Sequence, residues 1–187
     1  MSDHLGGYVP GGDHRTWHPE LWQEIIDRWH PTTFLDVGCA EGHAMRWWVE
    51  HGVNTLGVEG CPTAVRNHLL PHCVVQHDFT TGPWSPPTPI DVAWCCEVVE
   101  HVEEAYTPNL LAAFSTTRMA FVSHAVPRQS GYHHVNCQDA PYWIDRFAAT
   151  GLVHSPELSE WARYHARHGF YANTGMVFAR LQRSLAN

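Results

Sequence analysis

The chain has 187 residues, of which 44% are hydrophobic, and it carries a formal net charge of −8 at pH 7. This length suits one well-buried domain and is too short for two of ordinary size, so we expect residues 1–187 to form a single domain. Its eleven basic residues are all arginines, scattered along the chain without a basic stripe. That distribution argues against a nucleic-acid surface.

The sequence also argues against a membrane protein or a secreted one. It contains no run of about 18 apolar residues, so we expect no membrane span. The N-terminus lacks the basic and apolar regions of a signal peptide. The six cysteines show no C-x-x-C pairing and are interpreted as reduced thiols. We therefore expect a cytoplasmic protein, and the sequence leaves the oligomeric state open.

Residues 1–18 contain two pairs of glycines, Gly6-Gly7 and Gly11-Gly12, and several aromatic residues, which is typical of a loop. We expect this segment to be a lid that closes over a substrate, with Tyr8 and Trp17 in contact with it. A flexible leader without a function is the alternative. Pro19 suits the first turn of a helix, and apolar residues at helical spacing predict a leading helix within residues 19–30.

The central feature of the sequence is a buried strand that runs directly into a tight turn, Phe34 to Gly42. A helix is predicted to follow from His43, because apolar residues recur there at helical spacing. The next strand, residues 55–59, ends in Glu59. A carboxylate at this point of a parallel sheet can accept hydrogen bonds from both hydroxyls of a ribose.

Further strands and helices alternate through the rest of the chain. The predicted strands cover residues 74–79, 90–95, 119–123, 153–158 and 170–181, and the predicted helices begin at 61 and cover 105–117, 139–150 and 161–168. This order predicts an α/β fold: a doubly wound, seven-stranded, Rossmann-like sheet with helices on both faces. A final hairpin makes one strand antiparallel.

The turn and the second strand resemble the first two motifs of the class I S-adenosylmethionine-dependent methyltransferases. The family's first motif is an acid followed by G-x-G-x-G, matched here by Asp36, Gly38, Ala40 and Gly42. After the fourth strand, the run from Glu97 to Val102 resembles the family's E-x-x-E-H-V pattern. Nearly the whole chain also resembles small methyltransferase-like proteins, some of them encoded by phages.

The resemblance implies S-adenosyl-L-methionine as the cofactor. The residues that it assigns to cofactor binding are Asp36, Gly38, Ala40, Gly42, Glu59, Asp78, Phe79 and Glu97. Asp78 matches an acid that often bonds the adenine amino group, with a turn-forming role as the alternative. Ala40 departs from the glycine pattern, which costs about 1 kcal/mol if its φ is positive and almost nothing if φ is negative.

The methyl acceptor should lie beyond the ends of the fourth and fifth strands. Histidine is a good general base for a hydroxyl acceptor, and the catalytic candidates are His124, His133 and His134. Adjacent histidines point in different directions, so at most one of the last two faces the acceptor. We assign His101 and Tyr132 to substrate binding, together with the aromatic residues of the lid.

The fourth strand ends in Cys95-Cys96-Glu97-Val98, without the Asp- or Asn-Pro-Pro-aromatic motif common in enzymes that methylate base amino groups. We therefore predict O-methylation of a small molecule or a glycan. The alternatives are a non-catalytic S-adenosylmethionine-binding module and a nicotinamide-binding oxidoreductase, which the glycine spacing disfavours. We expect no metal, because a loose cluster of possible ligands matches no closed zinc motif. The alternative is a loose site for a divalent cation that holds a diol or carboxylate acceptor. The cluster comprises His124, His133, His134, Cys137 and Asp139.

Overall fold

The computed structural model describes residues 3–180, which form a seven-stranded mixed sheet. The strands are β1 (Thr33–Val37), β2 (Asn54–Glu59), β3 (Val74–Gln76), β4 (Ile90–Cys95), β5 (Thr117–Val122), β6 (Leu152–His154) and β7 (Met176–Arg180). Their order is β3-β2-β1-β4-β5-β7-β6. β7 pairs antiparallel with β5 and β6, and the other pairs are parallel. The predicted fold class is confirmed.

Helices connect the strands across the described part of the chain. They are α1 (Pro19–Trp29), α2 (His43–Glu50), α3 (Pro62–Arg66), α4 (Thr107–Leu111), α5 (Ala140–Ala148), α6 (Pro156–Ala166) and α7 (Gly169–Thr174). α1 begins at Pro19, as expected. Proline lacks an amide hydrogen, and at the first position of a helix that hydrogen would have no partner within the helix. Within residues 3–180, no helix is long and apolar enough to cross a lipid bilayer.

Both faces of the sheet are buried. Successive strand residues point to opposite faces, so neighbouring residues pack into different cores. Phe34 of β1 and Trp94 of β4 pack into one core with α1, α2, α6 and α7. Their neighbours Leu35 and Cys95 pack into a second core with α4 and α5. Parallel strands covered on both faces are typical of doubly wound sheets.

Several element boundaries differ from the predicted ones. Residues 105–117 do not form one helix: α4 is a single short helix flanked by 3-10 turns, and residue 117 already belongs to β5. Pro108 lies in the first turn of α4 and cannot continue a helix from the N-terminal side. The predicted third strand, 74–79, is shorter because a 3-10 turn begins at Phe79.

The predicted final strands are also too long. β6 stops at His154 because Ser155 caps α6, where its Oγ accepts a hydrogen bond from the Leu158 N–H at 3.4 Å. The helix expected at 161–168 therefore begins earlier, at Pro156. Residues 170–174 are helical in α7, β7 begins only at Met176, and residue 181 lies outside the described residues.

Candidate active site

A cavity of about 710 Å³ lies at the carboxyl ends of β1, β2 and β4. The strand order reverses between β1 and β4, and ligands of open α/β sheets bind at such a point. The volume is in the usual range for a small-molecule site. Its walls come from the glycine turn, the strand ends, residues 4–9 and 11–17, and residues 129–132 with His134.

The glycine turn has an unusual backbone, with positive φ at Gly38 (75°), Ala40 (49°) and Gly42 (80°). A Cβ at Gly38 would collide with the side chain of Val98, so this position requires glycine. The positive φ of Ala40 costs about 1 kcal/mol relative to glycine. A hydrogen bond from the Ala40 N–H to Glu59 Oε2, at 2.8 Å, helps to hold that conformation.

Glu59 lies at the end of β2 and accepts two backbone hydrogen bonds, one at each carboxylate oxygen. Oε1 accepts from the Cys61 N–H at 2.7 Å, and Oε2 accepts from the Ala40 N–H. Burial raises the pKa of Glu59, and these two hydrogen bonds oppose the rise. Burial, followed by repulsion from Glu59, raises the pKa of Asp36 to about 8. A positively charged ligand would reduce the electrostatic repulsion between Asp36 and Glu59.

Histidines aside, the ionisable residues that line the cavity are mainly acidic. The acids are Asp13, Asp36, Glu59, Asp78, Glu97 and Glu103, and the lining arginines are Arg15 and Arg46. Arg15 is already paired with Asp13, at 2.8 Å. The electrostatic field of the cavity therefore favours a cationic ligand over an anionic one.

The N-terminal segment forms one wall of the cavity and is attached to it at several points. The Gly11 N–H donates to Glu41 Oε2 at 2.8 Å, and His4 Nε2 lies 3.0 Å from Asp78 Oδ2. Tyr8 and Trp17, the aromatic residues predicted to contact substrate, both line the cavity. The segment thus lies where a lid would lie.

Asp78 and Phe79 also line the cavity. Asp78 caps a 3-10 turn: its Oδ1 accepts hydrogen bonds from the Thr80 N–H at 2.9 Å and from the Thr80 hydroxyl at 2.8 Å. The turn-forming role considered for Asp78 is therefore present in the structure. The contact with adenine stays a prediction.

Only one of the three histidines predicted as general bases lines the cavity in the described part of the chain. His134 does so, and its Nδ1–H donates to the Gln129 carbonyl at 3.1 Å, which leaves the lone pair on Nε2. His133 turns away, with Nε2 3.3 Å from Glu103 Oε1. His124 is 3% exposed and points to the Ala125 carbonyl, so it is not positioned to meet an acceptor.

Glu97 lines the cavity in a positive-φ conformation (58°). Its N–H donates to Ser123 Oγ at 3.0 Å, and the Ser123 hydroxyl donates to Glu97 Oε1 at 2.8 Å. Burial raises the pKa of Glu97. Ser123, which directly follows β5, therefore holds the side chain of Glu97 in place.

Glu100 lies in this region but is not among the predicted site residues. Its side chain is fully buried, and burial together with repulsion from Glu97 raises its pKa to about 9. Burial, with a smaller effect of His134, lowers the pKa of His101 to about 4. The spacing Glu97-x-x-Glu100-His101 was a usable signal, since residues three and four apart lie together on a helical turn.

Most of the predicted site residues meet in this cavity. Those that line it are Tyr8, Trp17, Asp36, Gly38, Ala40, Glu59, Asp78, Phe79, Glu97, His101, Tyr132 and His134. Among the described residues, the predicted ones outside the lining are Gly42, His124 and His133. Gly42 instead caps the start of α2.

The sheet order, the glycine turn and the acid after β2 define a Rossmann-like methyltransferase, and solved structures share this fold. A TehB-like SAM-dependent methyltransferase from Corynebacterium glutamicum is 16% identical, with a TM-score of 0.66 over 91% of this chain and 90% of that one. A sugar N-methyltransferase from a Streptoalloteichus species is 14% identical, with a TM-score of 0.67 over 94% of each chain.

The family model described as a methyltransferase domain matches residues 14–173, and the chain belongs to this family. A comparison with curated protein sequences finds no match. A magnesium protoporphyrin IX methyltransferase from Synechocystis with bound SAM is also similar, at 16% identity and a TM-score of 0.57 over 86% of this chain and 76% of that one. The chain is a methyltransferase with S-adenosylmethionine as its cofactor, which favours the enzyme over a non-catalytic module.

The cavity fits this cofactor. The glycine turn allows close approach to the main chain, and the acidic lining suits a molecule with a positive sulfonium and a positive ammonium group. Each oxygen of Glu59 accepts one backbone hydrogen bond and keeps a second lone pair for a ribose hydroxyl. When bound, the cofactor supplies a methyl group on a positively charged sulfur.

Proposed function

We propose that this methyltransferase acts on a hydroxyl group of a small molecule or a sugar, with His134 as the acceptor of the hydroxyl proton. The observation that carries the proposal is the orientation of His134. Its ring lines the cavity, and the Nδ1–H is engaged by the Gln129 carbonyl, so Nε2 keeps the lone pair that can accept a proton. An imidazole in this state is a suitable general base.

In the proposed reaction, each bond that forms is matched by a bond that breaks, and the proton has an acceptor. The acceptor oxygen forms a bond to the methyl carbon while the carbon–sulfur bond breaks and its electron pair returns to sulfur. The hydroxyl proton passes to His134 Nε2. The chain contributes orientation and proton transfer, and the electrophile is already activated by the positive charge on sulfur.

The walls of the cavity favour a small acceptor. Tyr8, Trp17 and Tyr132 line it and offer flat apolar faces, and Glu97 and His134 add polar groups to the same cavity. The sugar N-methyltransferase with the same fold acts, by its name, on a sugar. An acceptor of that size would fit between the N-terminal segment and residues 129–134.

The state of the cysteines is consistent with a reducing compartment. All six cysteines are free, and three of them, Cys39, Cys61 and Cys95, are buried. Free, buried thiols are ordinary in the cytoplasm, where disulfides are rare. We therefore place the proposed reaction in the cytoplasm.

The full chain should be incubated with methyl-labelled S-adenosylmethionine and two matched sets of small acceptors, sugars and phenols carrying either a free hydroxyl or an amine in the same position. The proposal predicts labelled methyl ethers, with little label on the amines. Label found only on nitrogen or sulfur would contradict it and leave the family assignment intact.

We also propose that residues 1–18 are a lid over the acceptor. Deleting residues 1–16 removes the cavity wall but keeps Trp17, which packs against Trp22 with ring centroids 5.0 Å apart. The truncated chain should keep its circular dichroism spectrum and lose turnover, because water enters the site. Glu41→Ala should cause a smaller loss. It leaves the segment in place and removes only the carboxylate that accepts from the Gly11 N–H and lies 3.6 Å from His43 Nε2. Full turnover in the truncated chain would show that the segment is not a lid.

A further inference from the structure

Three potential metal ligands meet beside the acceptor end of the cavity. Glu100, His101 and His134 each offer one ligand atom, and these atoms lie within 4.8 Å of one another. His101 and His134 line the cavity, whereas Glu100 lies behind them and is fully buried. The ring centroids of the two histidines are 5.0 Å apart. The group therefore has a closed protein side and a side that faces the cavity.

Three polar atoms of this group, two on Glu100 and one on His101, lack partners among the described residues. Within residues 3–180, no hydrogen bond is made by either carboxylate oxygen of Glu100 or by His101 Nδ1. Glu97 and the backbone of Ala125 lie close to the Glu100 carboxyl, but without adequate hydrogen-bond geometry. A buried polar group that is left unpaired is costly, and a second carboxyl beside it adds repulsion. A cation would relieve both.

We propose that Glu100, His101 and His134 bind a divalent first-row transition-metal ion. Two imidazoles and one carboxylate are a common donor set for zinc and iron, whereas magnesium and calcium prefer an all-oxygen environment. The cavity side leaves coordination positions open for a ligand. The site differs from the loose cluster considered from sequence, with which it shares only His134.

The local geometry supports the assignment. Two ligands at about 2.1 Å from one ion are at most about 4.2 Å apart, so a small inward movement of the side chains would close the site. The hydrogen bond from His134 Nδ1 to the Gln129 carbonyl fixes the tautomer that presents Nε2. Metal-binding histidines usually have such a bond on their second nitrogen.

Ion binding itself does not depend on the proposed function, whereas its role in methyl transfer rests on it. With the ion bound, His134 is a ligand and no longer accepts the proton itself. The ion would instead lower the pKa of a coordinated acceptor hydroxyl, and the proton would pass to water. His134 would then promote the same O-methylation through the ion.

The test uses the full chain after removal of metals with a chelator. Cobalt chloride should be added in the absence of cofactor and acceptor, with visible absorption and calorimetry as readouts. We expect one site per chain with the absorption of cobalt bound to nitrogen and oxygen, and no comparable binding of magnesium. Glu100→Gln, which keeps the shape of the side chain, and His134→Ala should each weaken cobalt binding by at least about tenfold.

His133→Ala is the matched control, because His133 is adjacent in sequence but faces Glu103 at 3.3 Å. It should bind cobalt as the native chain does, and circular dichroism should show that all variants are folded. Native cobalt affinity in both Glu100→Gln and His134→Ala would mean an adventitious ion only and would overturn the proposal. Because no methyl transfer is measured, that outcome leaves the proposed O-methylation standing.

Discussion

Replacing His134 with alanine should lower the rate of methyl transfer to a hydroxyl acceptor by about 10²–10⁴-fold, the usual effect of removing a general base. The affinity for S-adenosylmethionine should stay unchanged, because the residues that we predict to bind the cofactor, at the glycine turn and at Glu59, are untouched. Single-turnover rates with labelled cofactor and calorimetry on the same variant measure the two quantities separately. A loss in rate without a loss in cofactor affinity is the expected result.

His133→Ala is the control for this prediction as well and should keep near-native rates. The buried His124 should also tolerate substitution by glutamine without a direct effect on the chemical step. Chelator treatment separates the two roles of His134: a native rate that survives chelation indicates a free base, and a rate restored by added metal indicates a ligand. Near-native turnover in His134→Ala would point to a nitrogen or sulfur acceptor, and the O-methyltransferase proposal would fail.

Replacing Glu59 with alanine should weaken S-adenosylmethionine binding by about 1–3 kcal/mol, since we predict that Glu59 accepts hydrogen bonds from the ribose hydroxyls. This corresponds to roughly 5- to 150-fold in affinity. The structure adds a second reason for the loss. The Ala40 and Cys61 N–H groups also lose the carboxylate that holds them, so the glycine turn becomes less well ordered.

Asp91 offers a matched control for Glu59. One of its oxygens, Oδ2, accepts the backbone N–H groups of Thr32 at 2.9 Å and Thr33 at 3.2 Å, near the start of β4 and away from the cavity. Asp91→Ala should lower thermal stability and leave cofactor affinity unchanged. Glu59→Ala should lower cofactor affinity by more than its change in stability explains. Equal cofactor affinity in native chain and Glu59→Ala would remove Glu59 from the cofactor site.

The fold and the meeting of the glycine turn with Glu59 were predictable because their signals are local. A buried strand followed by a glycine turn specifies where the main chain bends, and an acid at the end of the next parallel strand must lie nearby, as Glu59 does. The hydrogen bond between Ala40 and Glu59 joins the two motifs. The sequence could not decide the sign of φ at Ala40, which depends on that long-range contact.

The acceptor side was harder to predict because it depends on how separate loops fold back. Residues 129–134 reach the cavity only through tertiary contacts, so periodicity could not rank His124, His133 and His134. The burial of Glu100 was missed for the same reason, although its spacing from Glu97 suggested a shared turn. Helix and strand ends near Pro108 and Ser155 were misjudged where a cap or a proline outweighed the apolar pattern.

The most direct test of the central claim is calorimetry of the full native chain with S-adenosylmethionine and, in parallel, with NADH. The glycine turn, the acidic lining and Glu59 predict one S-adenosylmethionine site per chain and no measurable binding of NADH, whose pyrophosphate is disfavoured by the acidic cavity. Binding of NADH without binding of S-adenosylmethionine would contradict the assignment of this cavity as a methyltransferase cofactor site.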